Sequence, residues 1–157
     1  MSEPYEEILA GETWLRLPPS SRHEEVCGRL HALVAKALAA PVGQELRLLP
    51  PRSMIELRAG TMLRPDMAVV NAEGKTLLVA EVIYPGDHQP DTVVKKAAYE
   101  ESEVERLWMV DLRYNCVEVY ERGPYGLALR RSLAGMDLLS EEFLPALELR
   151  IAELFEQ

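Results

Sequence analysis

Positive charge is scarce in this sequence. Its 157 residues include 17 Lys and Arg against 26 Asp and Glu, which gives a formal net charge of -9. Proteins that bind nucleic acid over a broad surface are usually basic on at least one face. The charge balance therefore argues against such a surface but leaves room for a small local positive site. The sequence also has no run of interleaved basic and aromatic residues of the kind that stacks on bases.

Cysteine is scarce as well. Cys27 and Cys116 are the two cysteines, and they form no CxxC motif. Cys27 falls inside a helical pattern and Cys116 opens a strand pattern. We therefore expect two reduced, buried thiols in a cytosolic protein.

Long hydrophobic runs are missing too. No apolar stretch has the length needed to span a bilayer, and no basic region near the N-terminus is joined to an apolar run as in a signal peptide. We therefore expect a cytoplasmic protein with no membrane partner. A chain of 157 residues is most simply a single domain over 1–157, and it is long enough to bury a core.

The first clear helical pattern covers about residues 22–40. Its apolar residues form one stripe at helical spacing. Ser21 with Glu24 makes a capping box at its start, so Glu24 is read as a capping residue rather than a ligand. His23 falls beside the apolar stripe, and we expect it to point inward at the first turn.

Strand patterns separated by turn residues lie on both sides of this helix. Residues 1–11 are acidic and polar, and we expect a short helix or a loose arm there. A second helix is predicted over 91–105 and a short closing helix over 152–155. The predicted strands are 13–17, 45–49, 53–57, 64–71, Thr76–Ile83, 106–112, 116–121, 127–133 and 136–140.

The order of these elements predicts the fold class. Strands 45–49 and 53–57 form either a hairpin or one bent strand, and 64–71 pairs with Thr76–Ile83 as an antiparallel hairpin. The sequence of helix, strands, helix and strands indicates an α/β or α+β domain. We expect a mixed central β-sheet flanked by helices.

One charged residue lies in an otherwise apolar strand pattern. The strand Thr76–Ile83 is apolar except for Glu81 and its opening Thr, so it reads as a strand buried on both faces. A buried carboxylate is unfavourable unless it is paired, metal-bound or protonated. Glu81 is therefore either half of a buried ion pair, with Arg64 or Lys95, or part of a site.

A second carboxylate favours a site. Asp66 stands at the start of the preceding strand, and a hairpin would bring it close to Glu81. Two carboxylates at one end of a sheet are suited to Mg²⁺ or Mn²⁺. On the second helix Asp91, Lys95 and Tyr99 are spaced by four and share one face. A Lys there would hold a water or stabilise charge on a phosphodiester, and the neighbouring Lys96 is its rival for this role.

These segments resemble a known family. RPDMAVV, LLVAEVIYP and DTVVKKAAY are similar to the Uma-two family of restriction-endonuclease-like proteins, which are divergent members of the PD-(D/E)xK nuclease superfamily. The resemblance extends to RHEEVCGRLHALV, to the pair RLWMVDL and CVEVYE, and to FLPALELRIAELF. It covers nearly the whole chain and implies a restriction endonuclease-like core.

The resemblance implies an activity and a set of residues. The activity is hydrolysis of DNA phosphodiester bonds by an endonuclease that uses Mg²⁺ or Mn²⁺. Asp66 and Glu81 match the motif acids, and the main-chain carbonyl of Val82 would complete the metal ligands. Ile83 occupies the position of the usual Lys, so the resemblance implies that this role has moved to Lys95.

Three further residues are candidates for lining the site, namely His23, Tyr99 and Asp91. Their simpler alternatives are a satisfied core histidine, a packing residue and a helix cap, respectively. A homodimer is expected by analogy with enzymes of this class. The competing hypothesis is a catalytically inactive nuclease-fold domain that acts as a dimeric interaction module, which the acidic balance favours.

Overall fold

The computed structural model describes residues 3–40, 45–58, 60–83 and 88–156, and for 88–92 it describes the backbone alone. Within these ranges the chain forms twelve strands and three helices. The strands are β1 (Tyr5–Leu9), β2 (Glu12–Arg16), β3 (Leu46–Leu48), β4 (Ile55–Arg58), β5 (Thr61–Leu63), β6 (Met67–Asn71), β7 (Thr76–Ile83), β8 (Arg106–Asp111), β9 (Cys116–Gly123), β10 (Gly126–Ala134), β11 (Leu138–Glu141) and β12 (Leu144–Arg150). The helices are α1 (Ser21–Leu38), α2 (His88–Glu101) and α3 (Ile151–Phe155).

A mixed six-stranded sheet organises the molecule, as the sequence predicts. Its order is β10-β9-β8-β7-β6-β3. Strands β7 and β8 are parallel, and the other neighbours in this sheet are antiparallel. A four-stranded sheet has the order β2-β1-β5-β4, and β11 pairs with β12.

The central strand β7 is buried on both faces because a helix lies on each side. Leu78, Ala80 and Val82 pack into one core cluster with residues of α1. Val79 and Ile83 pack into a second cluster with residues of α2. Side chains alternate along a strand, so Glu81 faces α2.

The antiparallel β6–β7 hairpin confirms the predicted pairing of these segments. Strand β6 begins at Met67 rather than at 64, since Pro65 cannot donate to a ladder and Asp66 forms a bend. The structure adds β5 just before it and β12 near the end, neither of which the sequence predicted.

Two expectations for the early chain are wrong. Residues 5–9 form strand β1 rather than a helix or an arm, because the strand is held between β2 and β5. Segments 45–49 and 53–57 form neither a hairpin nor one bent strand. Strand β3 pairs with β6 and β4 pairs with β5, in different sheets. Between them Arg52 takes a φ of 54°, which turns the chain.

The helix boundaries also differ from prediction. The N-cap of α1 is Ser20, whose hydroxyl accepts from the backbone N–H of His23 at 3.1 Å, so the predicted capping box at Ser21 is wrong. Helix α2 ends at Glu101 rather than at 105, and Glu103 follows with a φ of 62°. The closing helix is present as α3.

Both cysteines are free thiols. Cys27 is buried, whereas Cys116 is half-buried at the start of β9. None of the described helices has the length and apolar character to cross a membrane.

Candidate active site

Asp66 lies at the end of the β6–β7 hairpin, beside Glu81. Met67 pairs with Ala80, and Asp66 directly precedes Met67, near enough for its charge to raise the pKa of Glu81. The Asp66 carboxylate is buried, and its Oδ2 accepts a 2.8 Å hydrogen bond from the N–H of Val82. The carboxylate is therefore fixed against the same end of β7 that carries Glu81.

Cationic groups approach Asp66 from the opposite side. His23 on α1 places Nε2 3.3 Å from Oδ2, and Arg52 places a guanidinium nitrogen 3.4 Å from Oδ1. His31 donates from Nε2 to the main-chain oxygen of Asp66 at 2.8 Å. Burial alone would raise the pKa of Asp66, but the hydrogen bond and charge of His23, with the Val82 N–H, hold that pKa below its usual value.

Glu81 is held by two residues of α2. Lys95 donates from Nζ to Glu81 Oε2 at 2.7 Å, and the buried hydroxyl of Tyr99 donates to the same oxygen. Burial raises the pKa of Glu81 to about 7; Lys95 opposes the shift, and the charges of Asp66 and Glu7 add to it. Burial is therefore the main reason that the ionised form of Glu81 is disfavoured.

Lys95 lies between two carboxylates. Its Nζ also donates to Glu7 Oε2 at 2.9 Å, and its side chain is almost fully buried. Burial would lower the pKa of Lys95, but the charges of Glu81 and Glu7 outweigh it and raise the pKa. The ammonium group is consequently a fixed positive charge rather than a proton acceptor at neutral pH.

Glu7 is a residue of this cluster that the sequence analysis missed. It is fully buried on β1, where Oε1 accepts from Arg16 Nε at 2.9 Å and Oε2 accepts from the Arg64 N–H at 2.7 Å. Burial disfavours the ionised form of the Glu7 carboxyl, but Lys95 and these hydrogen-bond donors hold the pKa of Glu7 below its usual value. The available signal was the alternation in YEEIL, which puts Glu7 on the inward face between Tyr5 and Leu9.

Arg52 is the second residue that was missed. Besides Asp66, its guanidinium donates to Oε2 of Glu24 at 2.9 Å, and the same nitrogen lies 2.7 Å from Oε1. Glu24 is thus an ion-pair partner at the first turn of α1 and not the capping residue that the sequence indicated. Arg52 and Glu24 form the outer side of the cluster beyond Asp66.

The structure brings together five of the predicted residues, namely Asp66, Glu81, Lys95, His23 and Tyr99. His23 points inward as predicted. The side chain of Asp91 lies outside the described residues. Ile83 is buried in the apolar cluster beside α2, and the lysine that contacts Glu81 comes from α2 and not from β7. Lys96, the rival of Lys95, pairs with Glu100 at 2.5 Å.

Among the described residues, the chemistry of this cluster suits a hard divalent cation. Asp66 and Glu81 are buried carboxylates at one strand end, and carboxylate and carbonyl oxygens are the ligands that Mg²⁺ and Mn²⁺ prefer. A cation bound beside Glu81 would lower its raised pKa and favour the ionised carboxylate.

Comparison with known proteins points to the same class of fold. The model of a family described as "Uma2: Putative restriction endonuclease" matches residues 2–152. A crystal structure described as "a putative nuclease belonging to DUF820" from Anabaena variabilis is similar, with a TM-score of 0.75 and 17% identity. The match covers 98% of this chain and 91% of that one.

A second solved structure, a cryo-EM DrdV–DNA complex, has a TM-score of 0.39 and 16% identity over 69% of this chain and 12% of that one. This likeness is too low to carry an argument about fold or function. A search of curated proteins finds no match.

Proposed function

From the premise that this chain belongs to the Uma2 family of restriction-endonuclease-like proteins, we propose that it is a metal-dependent endonuclease that hydrolyses DNA phosphodiester bonds. The observation that carries the proposal is the convergence of Asp66, Glu81 and Lys95, from three separate segments, in one buried cluster. The family description supports a nuclease; the catalytic roles below are our inference from the geometry.

In this proposal Asp66, Glu81 and the main-chain carbonyl of Val82 hold Mg²⁺ or Mn²⁺. When bound, such an ion lowers the pKa of a coordinated water and neutralises charge on the phosphodiester. The Val82 N–H and His23 fix Asp66 Oδ2 in place. Tyr99 orients Glu81 through its hydroxyl. The ligands are therefore held before the cation and the DNA arrive.

Lys95 is assigned the electrostatic role. Its raised pKa keeps the ammonium charged, so it donates hydrogen bonds and does not remove the proton of the attacking water. A charged donor next to the metal carboxylates stabilises the negative charge that grows on the phosphorus oxygens in the transition state. Glu7 positions Lys95 through the 2.9 Å contact with its Nζ.

Asp66→Asn tests the assignment most simply. We expect metal-dependent cleavage of single- or double-stranded DNA to fall at least about 100-fold, because a metal ligand is lost while the size of the side chain is kept. Asp137→Asn is the matched control, since Asp137 is an exposed aspartate in the turn before β11. Equal cleavage by wild type and Asp66→Asn would overturn the proposal.

One observation favours a second candidate, an inactive nuclease-fold domain that acts as a dimeric interaction module. Lys95 is already neutralised between Glu7 and Glu81, so the cluster can persist as a buried ion-pair network. A melting temperature that Mg²⁺ and Mn²⁺ leave unchanged, together with no cleavage, would favour this candidate. A metal-binding protein is stabilised by its metal through mass action.

A further inference from the structure

A sulfur atom lies next to the proposed metal cluster. His23 and Cys27 are four residues apart on α1, so they share the face that points to Asp66. One nitrogen of His23, Sγ of Cys27 and one carboxylate oxygen of Asp66 lie within 4.8 Å of one another, and all three residues are buried. The function proposed above makes no use of Cys27.

The spacing of these atoms fits a tetrahedral metal. Zinc binds nitrogen and carboxylate oxygen at about 2.0–2.2 Å, so two tetrahedral ligands stand roughly 3.3–3.5 Å apart. His23 Nε2 and Asp66 Oδ2 are 3.3 Å apart, which matches this spacing. Cys27 Sγ lies 3.6 Å from the other ring nitrogen, Nδ1, and the donor atoms of all three residues lie within 4.8 Å of one another. The sulfur would therefore move towards Nε2 when a metal binds.

The chemistry of the donors separates this group from the magnesium ligands. Mg²⁺ requires oxygen ligands, whereas a set of one sulfur, one nitrogen and one oxygen is typical of Zn²⁺ and its analogue Co²⁺. Three protein ligands leave the fourth position to water. Asp66 belongs to both sets, because its Oδ2 faces His23 while the same carboxylate adjoins Glu81 across the hairpin.

We propose that His23, Cys27 and Asp66 form a Zn²⁺ site that shares Asp66 with the Mg²⁺ site, so that the two ions exclude each other. The Zn²⁺ site is inferred from the positions of these three side chains alone. Inhibition of DNA cleavage by Zn²⁺ additionally requires the proposed function. On binding, the Cys27 thiol and the His23 nitrogen that faces Asp66 each give a proton to solvent, and the sulfur and that nitrogen form bonds to the metal with no change of oxidation state.

The test is a titration with Co²⁺ in which the thiolate-to-metal charge-transfer absorption is recorded, because this absorption reports a Co–S bond directly. The two cysteines provide the matched pair of variants. We expect the absorption in wild type and Cys116→Ser, its loss in Cys27→Ser, and its reversal when Zn²⁺ displaces Co²⁺. His23→Gln should weaken Co²⁺ binding about tenfold or more, and circular dichroism of each variant checks that it is folded.

The absence of the absorption in wild type, or its persistence in Cys27→Ser, would overturn the zinc site. If Cys27→Ser is not folded, the result for His23→Gln decides, and unchanged Co²⁺ affinity there would overturn the site. DNA cleavage is measured separately, with Zn²⁺ added to Mg²⁺ and each variant compared with its own rate in Mg²⁺ alone. Charge-transfer absorption without any cleavage would leave the zinc site standing and count against the nuclease.

Discussion

At the scale of single residues, Glu81 should make the stability of the protein depend on pH. Its pKa is raised from an ordinary 4.5 to about 7 by burial. The folded state therefore binds this proton more tightly than the unfolded state. The resulting stabilisation is complete below pH 4.5 and is lost as the pH rises through about 7.

Glu81→Gln should remove this dependence, because the amide cannot ionise. We expect the free energy of unfolding of the variant, relative to wild type in EDTA, to rise by up to about 3 kcal/mol between pH 4.5 and 7.5. Urea unfolding at several pH values measures it, with the exposed Glu148→Gln as the control. A difference that stays constant across this range would show that Glu81 ionises normally in the fold.

Two neighbouring lysines should differ sharply in their contribution to stability. Lys95→Met leaves Glu7 and Glu81 buried without their shared cation, and losing one partner of such a network costs about 3–5 kcal/mol. Lys96→Met removes a partly exposed pair with Glu100 and the contact of its ammonium with the Tyr120 ring, which are worth about 1 kcal/mol or less together. Chemical denaturation of both variants at pH 7.5 compares them, and equal losses would contradict the burial of Lys95 in the cluster.

The sequence predicted a site residue where a charged side chain differed clearly from its neighbours. Glu81 is a carboxylate in an apolar strand. Asp66 was predicted from the hairpin, and Lys95 from its spacing on the second helix. Glu7 gave no such contrast, because Glu6 precedes it and its strand has only five residues. Arg52 sits in a turn after two prolines, and nothing in the sequence around it indicates a contact with Asp66, 14 residues away.

At the scale of elements, the start of α1 fixes the position of His23. The hydroxyl of Ser20 accepts from the N–H of His23, which holds the first turn of the helix against Asp66. Helices and the β6–β7 hairpin could be predicted because their patterns are local. The assignment of β3 and β4 to different sheets could not, since it depends on partners, β6 and β5, that come later in the chain.

The cap of α1 is tested by two adjacent serines. Ser20→Ala should lower the free energy of unfolding by about 0.5–2 kcal/mol, because the N-terminal N–H groups lose an acceptor. Ser21→Ala should have little effect, since Ser21 is already the first helical residue. Urea denaturation of both variants gives the answer. A larger loss of stability in Ser21→Ala than in Ser20→Ala would show that Ser21 caps the helix, as the sequence predicted.

At the scale of the whole molecule, the mixed sheet with a helix on each side of β7 is the feature that assembles the site. The hairpin supplies Asp66 and Glu81, α1 supplies His23, and α2 supplies Lys95. With a net charge of -9, the DNA binding that we propose would depend on a local positive site. The single domain and the homodimer remain predictions.

The proposed function requires one divalent cation bound between Asp66 and Glu81. Crystals soaked in Mn²⁺ would locate this ion independently of activity, because manganese gives an anomalous signal. We expect a peak within coordination distance, about 2.0–2.6 Å, of both carboxylates and of the Val82 carbonyl. The proposal would be contradicted if no peak lay between the two acids while manganese occupied other sites fully. In that case Lys95 would still contact Glu81.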